Sequence, residues 1–346
     1  LTKEAGLAPW QTTGIGSMPH KDAREAARLI LAHTTLPYWP QMANLGPDED
    51  MVLACAQGLP CLEVDFPNRR VVARSKGRLD ALLGFYEPLL AGDLDHFAPA
   101  NPRSIDALLS ALDGNAAAAG PRRLKGQVVG PVTLGTSVKD ESGRDIIHDR
   151  ELMEACCQGL AMKAAWQARR LSQAGASPVI FFDEPSLSAL GSAFMPVDRD
   201  GVLALFALLF GTFRGAGQPA LLGIHCCGNS DWPMLLESGA DIISFDSWSY
   251  AGNFCLFPRE IDAFLRGGGR LAWGAVPTGE PLPADRGTLL ARLKGGLAKL
   301  ERSGIEPKLL RERSLLTPSC GMGTLSEAEA EAVLAALSWL RQELAG

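Results

Sequence analysis

The chain has no long apolar run, no basic block and no dinucleotide fingerprint, and each absence removes a class of function. Its longest apolar stretches, such as Val179 to Phe182 and Leu203 to Phe210, are far too short to span a bilayer. The formal net charge is −6 over 346 residues. Without a cluster of lysine and arginine, neither a nucleic acid nor an anionic membrane is an expected partner. The N-terminus, Leu1-Thr2-Lys3-Glu4, lacks the basic-then-apolar layout of a signal peptide, so a cytoplasmic protein is expected. Gly14-Ile15-Gly16 is the nearest fragment to Gly-x-Gly-x-x-Gly and lacks the third glycine, which removes a Rossmann reading. No repeat of fixed period appears.

What is present is a rhythm. Apolar residues make up 47% of the chain, ample for one large core. The pattern predicts strands at Thr12–Pro19, Pro37–Met42, Gly126–Pro131, Pro178–Phe182, Ala220–His225, Asp241–Phe245, Leu271–Val276 and Ser314–Pro318. It predicts helices at Ala23–His33, Asp149–Ala174, Val202–Phe213, Trp232–Ser238, Pro258–Leu265 and Gly287–Arg302. A last helix opens with the capping-box pattern Ser326-x-x-Glu329 and runs to Leu344. Eight strands wound this way close more naturally as a (β/α)8 TIM barrel than as an open sheet. Residues 1–346 are therefore expected to form one barrel domain, with 1–11 as an arm. Residues 43–122 break the rhythm between the second and third strands and read as an irregular insertion. Within it, Cys61–Phe66 could pair with Arg70–Ala73 as a hairpin, and helices are expected near Leu79–Leu90 and Ile105–Asp113.

The stretch Leu221-Leu222-Gly223-Ile224-His225-Cys226-Cys227-Gly228-Asn229 is an apolar strand whose tip carries an imidazole and two thiols. A strand's period of two puts His225 and Cys227 on one face and turns Cys226 to the other. That pair supplies half of a tetrahedral zinc site, so further ligands must come from elsewhere. In a barrel the active site lies at the C-terminal ends of the strands. Those ends carry Ser17, Gly130-Pro131, Asp183-Glu184, His225 and Cys227, Asp246, Gly274 and Cys320.

Cys320, just past the eighth strand, is the natural third ligand. Asp246 is open to three roles: fourth ligand, partner of His225, or helix N-cap. Asp183 and Glu184 read either as a cap for the turn that follows or as groups for substrate-ammonium recognition and proton handling. The remaining cysteines, Cys55, Cys61, Cys156, Cys157 and Cys255, read as small core residues; a chain this long does not need them as disulfide staples. Two thiolates and one imidazole make zinc a poor activator of water. Such a set suits the binding of a further thiol and the lowering of its pKa, which favours alkyl transfer over hydrolysis.

Several motifs together carry a family resemblance. They are Thr12-Thr13-Gly14-Ile15-Gly16-Ser17-Met18-Pro19, Gly130-Pro131-Val132-Thr133, Asp183-Glu184-Pro185, His225-Cys226-Cys227, Ala240 to Asp246 and Pro318-Ser319-Cys320-Gly321. In that order the chain resembles the catalytic C-terminal barrel of cobalamin-independent methionine synthase, within the uroporphyrinogen decarboxylase/methionine synthase superfamily. The resemblance implies that His225, Cys227 and Cys320 bind zinc and that Asp246 stands where the family has a ligating glutamate. It implies that Ser17 holds the carboxylate of an amino-acid thiol such as homocysteine and Asp183 its ammonium.

The sequence also departs from the synthases. These 346 residues are not expected to hold a counterpart of their second, N-terminal barrel. Leu134-Gly135-Thr136 stand where a tryptophan usually follows Gly-Pro-Val-Thr. The glutamate expected near Asp50-Met51-Val52 to meet the amino group is not evident. A methylated corrinoid protein is thus a better expected donor than methyltetrahydrofolate. The expectation is a zinc-dependent methyltransferase acting on a thiol. A zinc hydrolase on the same barrel, or a non-catalytic zinc- or corrinoid-binding protein, are the competing readings.

Overall fold

Apolar side chains run unbroken through the central strands, as a parallel sheet buried on both faces requires. The computed structural model describes residues 7–113, 122–192 and 195–345. Among them the strands are β1 (Gln11–Thr12), β2 (Leu62–Asp65), β3 (Arg70–Ala73), β4 (Arg122–Val129), β5 (Lys139–Asp140), β6 (Ala176–Asp183), β7 (Leu221–Cys226), β8 (Ile242–Phe245), β9 (Arg270–Val276) and β10 (Ser314–Pro318). Seven of these form one parallel sheet in the order β1-β10-β9-β8-β7-β6-β4. The hairpin β2–β3, joined by β5, forms a separate small sheet. Hairpin and helices Arg78–Ala91 and Arg103–Asp113 fall where the sequence predicts them. Residues 114–121 of the expected insertion and 1–6 of the expected arm lie outside the described residues.

Alternation along each strand divides the side chains between two cores. Ile180, Phe182, Leu222, Ile224, Ile243, Phe245, Leu271, Trp273 and Leu316 join the large core that the helices cover. Val179, Phe181, Ile242, Ala272 and Leu315 join a smaller one with Leu7, Leu36 and the edge of Leu221; no helix contributes to it. The sheet therefore curls so that its second face buries itself. Gly223 is part of that packing: a Cβ there would stand 2.5 Å from the Phe181 ring. Each fully buried valine, leucine, isoleucine or phenylalanine among them contributes roughly 1.5–3 kcal/mol through burial.

The expected second strand behaves differently from the other seven. Residues 37–41 lie between the two sheet edges and bond to both, but only as isolated bridges, Tyr38 with Lys125 and Gln41 with Ser17. Trp39 N–H donates to the Lys125 carbonyl at 2.8 Å, and Gln41 N–H to the Gly16 carbonyl at 2.9 Å. Pro37 and Pro40 have no N–H to give, so no continuous ladder can form here. The helices match expectation more closely. Asp149 caps Arg150–Gln173 by accepting from Leu152 N at 3.1 Å, and Gly175 ends that helix with φ 74°. The capping box is formed: Ser326 N donates to Glu329 at 2.8 Å and Glu329 N to Ser326 Oγ at 3.3 Å. Among the described residues no helix is long and apolar enough to cross a membrane.

Candidate metal centre and acceptor site

The site begins as a row across the sheet. Asp183 pairs with His225 in the β6–β7 register, and His225 with Ser244 in the β7–β8 register. All three share the face of Phe181 and Ile242, one step beyond the smaller apolar core. Glu184, Cys226 and Phe245, the next residues along, turn to the helices. Cys226 is fully buried in the large core, where burial pushes its thiol up to about 12.

One step beyond β7, Cys227 meets Cys320 from the loop after β10. The ligand atoms of His225, Cys227 and Cys320 lie within 4.8 Å of one another. His225 is buried; Nδ1 stands 3.0 Å from Ser244 Oγ, and Nε2 has no hydrogen-bond partner among the described residues. A buried ring nitrogen without a partner is costly unless something binds it. The two thiols stand side by side. Their interaction holds Cys227 below the ordinary thiol value and, with burial, pushes Cys320 above it against the pull of His225. One imidazole nitrogen and two sulfurs are the soft donors zinc prefers, with bonds of about 2.0–2.3 Å. The residues present fit such an ion, and a three-donor set leaves one tetrahedral position open.

The acidic residues divide. Asp246 Oδ1 accepts from Ser249 N at 2.9 Å and caps the helix Ser247–Phe254. It is not among the three converging donors. Of the roles the sequence left open, the structure displays the cap, and Ser244 rather than Asp246 is the hydrogen-bond partner of His225. Glu184 is likewise engaged with a helix. Its oxygens accept from Val132 N at 2.9 Å, Thr133 N at 2.8 Å and Thr133 Oγ1 at 2.7 Å. Burial pushes Glu184 up to about 7 despite these bonds. Gly130 makes room for it, since a Cβ would stand 2.2 Å from the Glu184 carboxyl carbon. Asp183 faces the other way. It is buried, its Oδ1 has no partner, and burial raises its pKa against the opposing pull of Lys125 and His225. Ser17 Oγ accepts from Gly323 N at 3.1 Å, which ties it to the loop that carries Cys320.

Three buried polar residues escaped the sequence reading. Ser244 is a polar residue at an inward position of an apolar strand, a signal that alternation alone could have flagged. Lys125 precedes the predicted start of its strand. It is fully buried, donates to the Ile15 carbonyl at 2.5 Å and Gln127 Oε1 at 3.1 Å, and stands over the Phe181 ring. Burial pulls its pKa down to about 8. Glu49 immediately precedes the Asp50-Met51-Val52 stretch where no glutamate was evident. It is buried, accepts from Ser104 Oγ at 2.7 Å, and lines a cavity of about 60 Å³ with Trp39, Gln127 and Gln167.

No protein-family model matches the chain, and no curated protein matches its sequence. Solved structures do. A B12-independent methionine synthase from Shewanella sp. W3-18-1, in complex with selenomethionine, superposes with a TM-score of 0.59 at 15% identity. The match covers 98% of this chain and 98% of that one. A methyltransferase from Methanosarcina mazei superposes with a TM-score of 0.55 at 15% identity, covering 98% of this chain and 95% of that one. At this identity the likeness establishes the fold.

Proposed function

We propose that this chain is a zinc-dependent methyltransferase that moves a methyl group onto a thiol acceptor such as homocysteine. The observation that carries the reading is the convergence of His225, Cys227 and Cys320 within 4.8 Å. The order of the matching motifs along the chain supports it, as does the shared fold with a methionine synthase and a methyltransferase. The proposal takes the fold as a single closed (β/α)8 barrel, with 37–41 as its second strand and 43–122 as an insertion.

In this reading His225 offers Nε2 to the metal, because Ser244 engages Nδ1 and so sets the ring's orientation. Zinc supplies there a centre that lowers the pKa of an incoming thiol. Asp246 stays with its own helix, and the open position belongs to the acceptor. Ser17 holds the acceptor's carboxylate through its hydroxyl proton. Asp183 meets the ammonium, and a cation beside its unpartnered oxygen relieves the burial that raises its pKa. Glu184 touches no substrate; it fixes the helix Pro131–Ser137 behind Asp183.

With the acceptor oriented, its sulfur forms a bond to the methyl carbon while the bond from that carbon to the donor breaks. The electron pair leaves with the donor, and the thiol proton has already gone to solvent. A methylated corrinoid protein is the proposed donor, on the sequence's departures from the folate-using pattern.

The test is to incubate zinc-loaded protein with methylcobalamin and a panel of thiols, following cobalamin demethylation by absorbance and thioether by mass spectrometry. Thiol-dependent demethylation is expected. Metal-dependent ester or amide cleavage without a thiol would favour a hydrolase. Tight zinc binding with no transfer would leave a binding protein.

A further inference from the structure

The loop that carries Cys320 is anchored on both sides of the cysteine. Before it, Ser319 N donates to the Val276 carbonyl at 2.8 Å, and Ser319 Oγ accepts from Thr278 N at 3.0 Å. After it, Met322 N donates to the Ser17 carbonyl at 3.0 Å and Gly323 N to Ser17 Oγ at 3.1 Å. The second anchor has no slack. A Cβ on Gly321 would stand 2.1 Å from Ser17 Oγ, and one on Gly323 would stand 3.1 Å from Ser17 Cβ. A side chain at 321 would collide with the Ser17 hydroxyl, and one at 323 would press on its Cβ.

Ser17 is itself held from behind. Lys125 bonds the Ile15 carbonyl, Gly16 packs on the Gln127 side chain, and Met18 N donates to the Gln41 carbonyl at 2.9 Å. A serine fixed on that side can serve as a stop for whatever leans on the other.

We propose that Ser17 is a positioning residue for Cys320: the seam between Ser17 and Gly321-Met322-Gly323 places the Cys320 sulfur beside Cys227 and His225. The metal readout of this proposal rests on the zinc reading above. A hydroxyl accepts and donates at once, so Ser17 keeps its proton for an acceptor carboxylate while holding the loop. One side chain thus links the acceptor's position to the third metal ligand, and binding at either is felt at the other.

The Gly321→Ala variant should bind cobalt(II) at least about tenfold more weakly, as loss of an outer support typically does. Ser17→Ala alone should also weaken cobalt binding, because it removes the oxygen that holds Gly323 N, and in that background the clash is gone: the next contact from a Cβ at 321 is Ser17 Cβ at 3.3 Å. Adding Gly321→Ala to Ser17→Ala should therefore change cobalt affinity by no more than about twofold. Cobalt thiolate absorbance gives the affinities. In metal-free protein, iodoacetamide labelling of Cys320, mapped by mass spectrometry, should rise in Gly321→Ala and return to the Ser17→Ala rate in the double variant. Wild type that binds no cobalt would sink the zinc reading, while the labelling would still decide the seam. Wild-type labelling in Gly321→Ala, or a full Gly321→Ala defect in the Ser17→Ala background, would overturn the proposal.

Discussion

His225 Nδ1 lies 3.0 Å from the Ser244 hydroxyl, and the two residues are register partners on adjacent strands. The hydroxyl therefore orients the ring and leaves Nε2 as the nitrogen with no hydrogen-bond partner among the described residues. Ser244→Ala removes that orientation without altering the donor set. Zinc affinity, measured by competition with a chromophoric chelator, should fall about tenfold while the fold persists.

Asp246 separates two views of the metal centre. It accepts from Ser249 N at the start of a helix, and asparagine caps as well as aspartate does. As a cap alone, Asp246→Asn should leave zinc affinity within about twofold of wild type and thermal stability nearly unchanged. A tenfold loss of affinity would make the carboxylate a ligand.

Cys226, which ends β7, and Cys227, the next residue, should react oppositely in the metal-free protein. Cys227 is held below the ordinary thiol value by its interaction with Cys320, whereas burial pushes Cys226 up to about 12. Iodoacetamide at neutral pH should alkylate Cys227 and spare Cys226, along with the buried Cys156 and Cys157. Peptide mapping after limited labelling reads the order, and bound zinc should protect Cys227.

Lys125 carries a pH signature. Burial pulls it from 10.5 to about 8, so the folded state disfavours its charged form. Below pH 8 that penalty is in full force. It is relieved as pH rises and gone above the unfolded value, because between the two the unfolded chain binds more protons. Wild type should therefore gain about 3 kcal/mol relative to Lys125→Met across this window. Urea denaturation of both proteins at pH 7.5 and pH 10.5 measures the difference; parallel curves would mean that the buried ammonium titrates normally.

Local pattern determined a great deal here. Period-two alternation placed His225 and Cys227 on one face and Cys226 in the core, because a strand has no other way to present consecutive side chains. The capping box at Ser326 and the ends of the helix after Asp149 were legible for the same reason: they depend on contacts within a few residues. Tertiary structure decided what depends on neighbours distant in the chain. The expected second strand became bridges because it lies between two different edges and its prolines have no N–H to offer either of them. Asp246, which the sequence left open to a cap as well as a site role, and Glu184 each accept from the N–H groups of an adjacent helix, a choice that depends on which helix start lies nearby. Ser244 and Lys125 gained their places from strand register, and Cys320 reached Cys227 because the curl of the sheet brings the ends of β7 and β10 together.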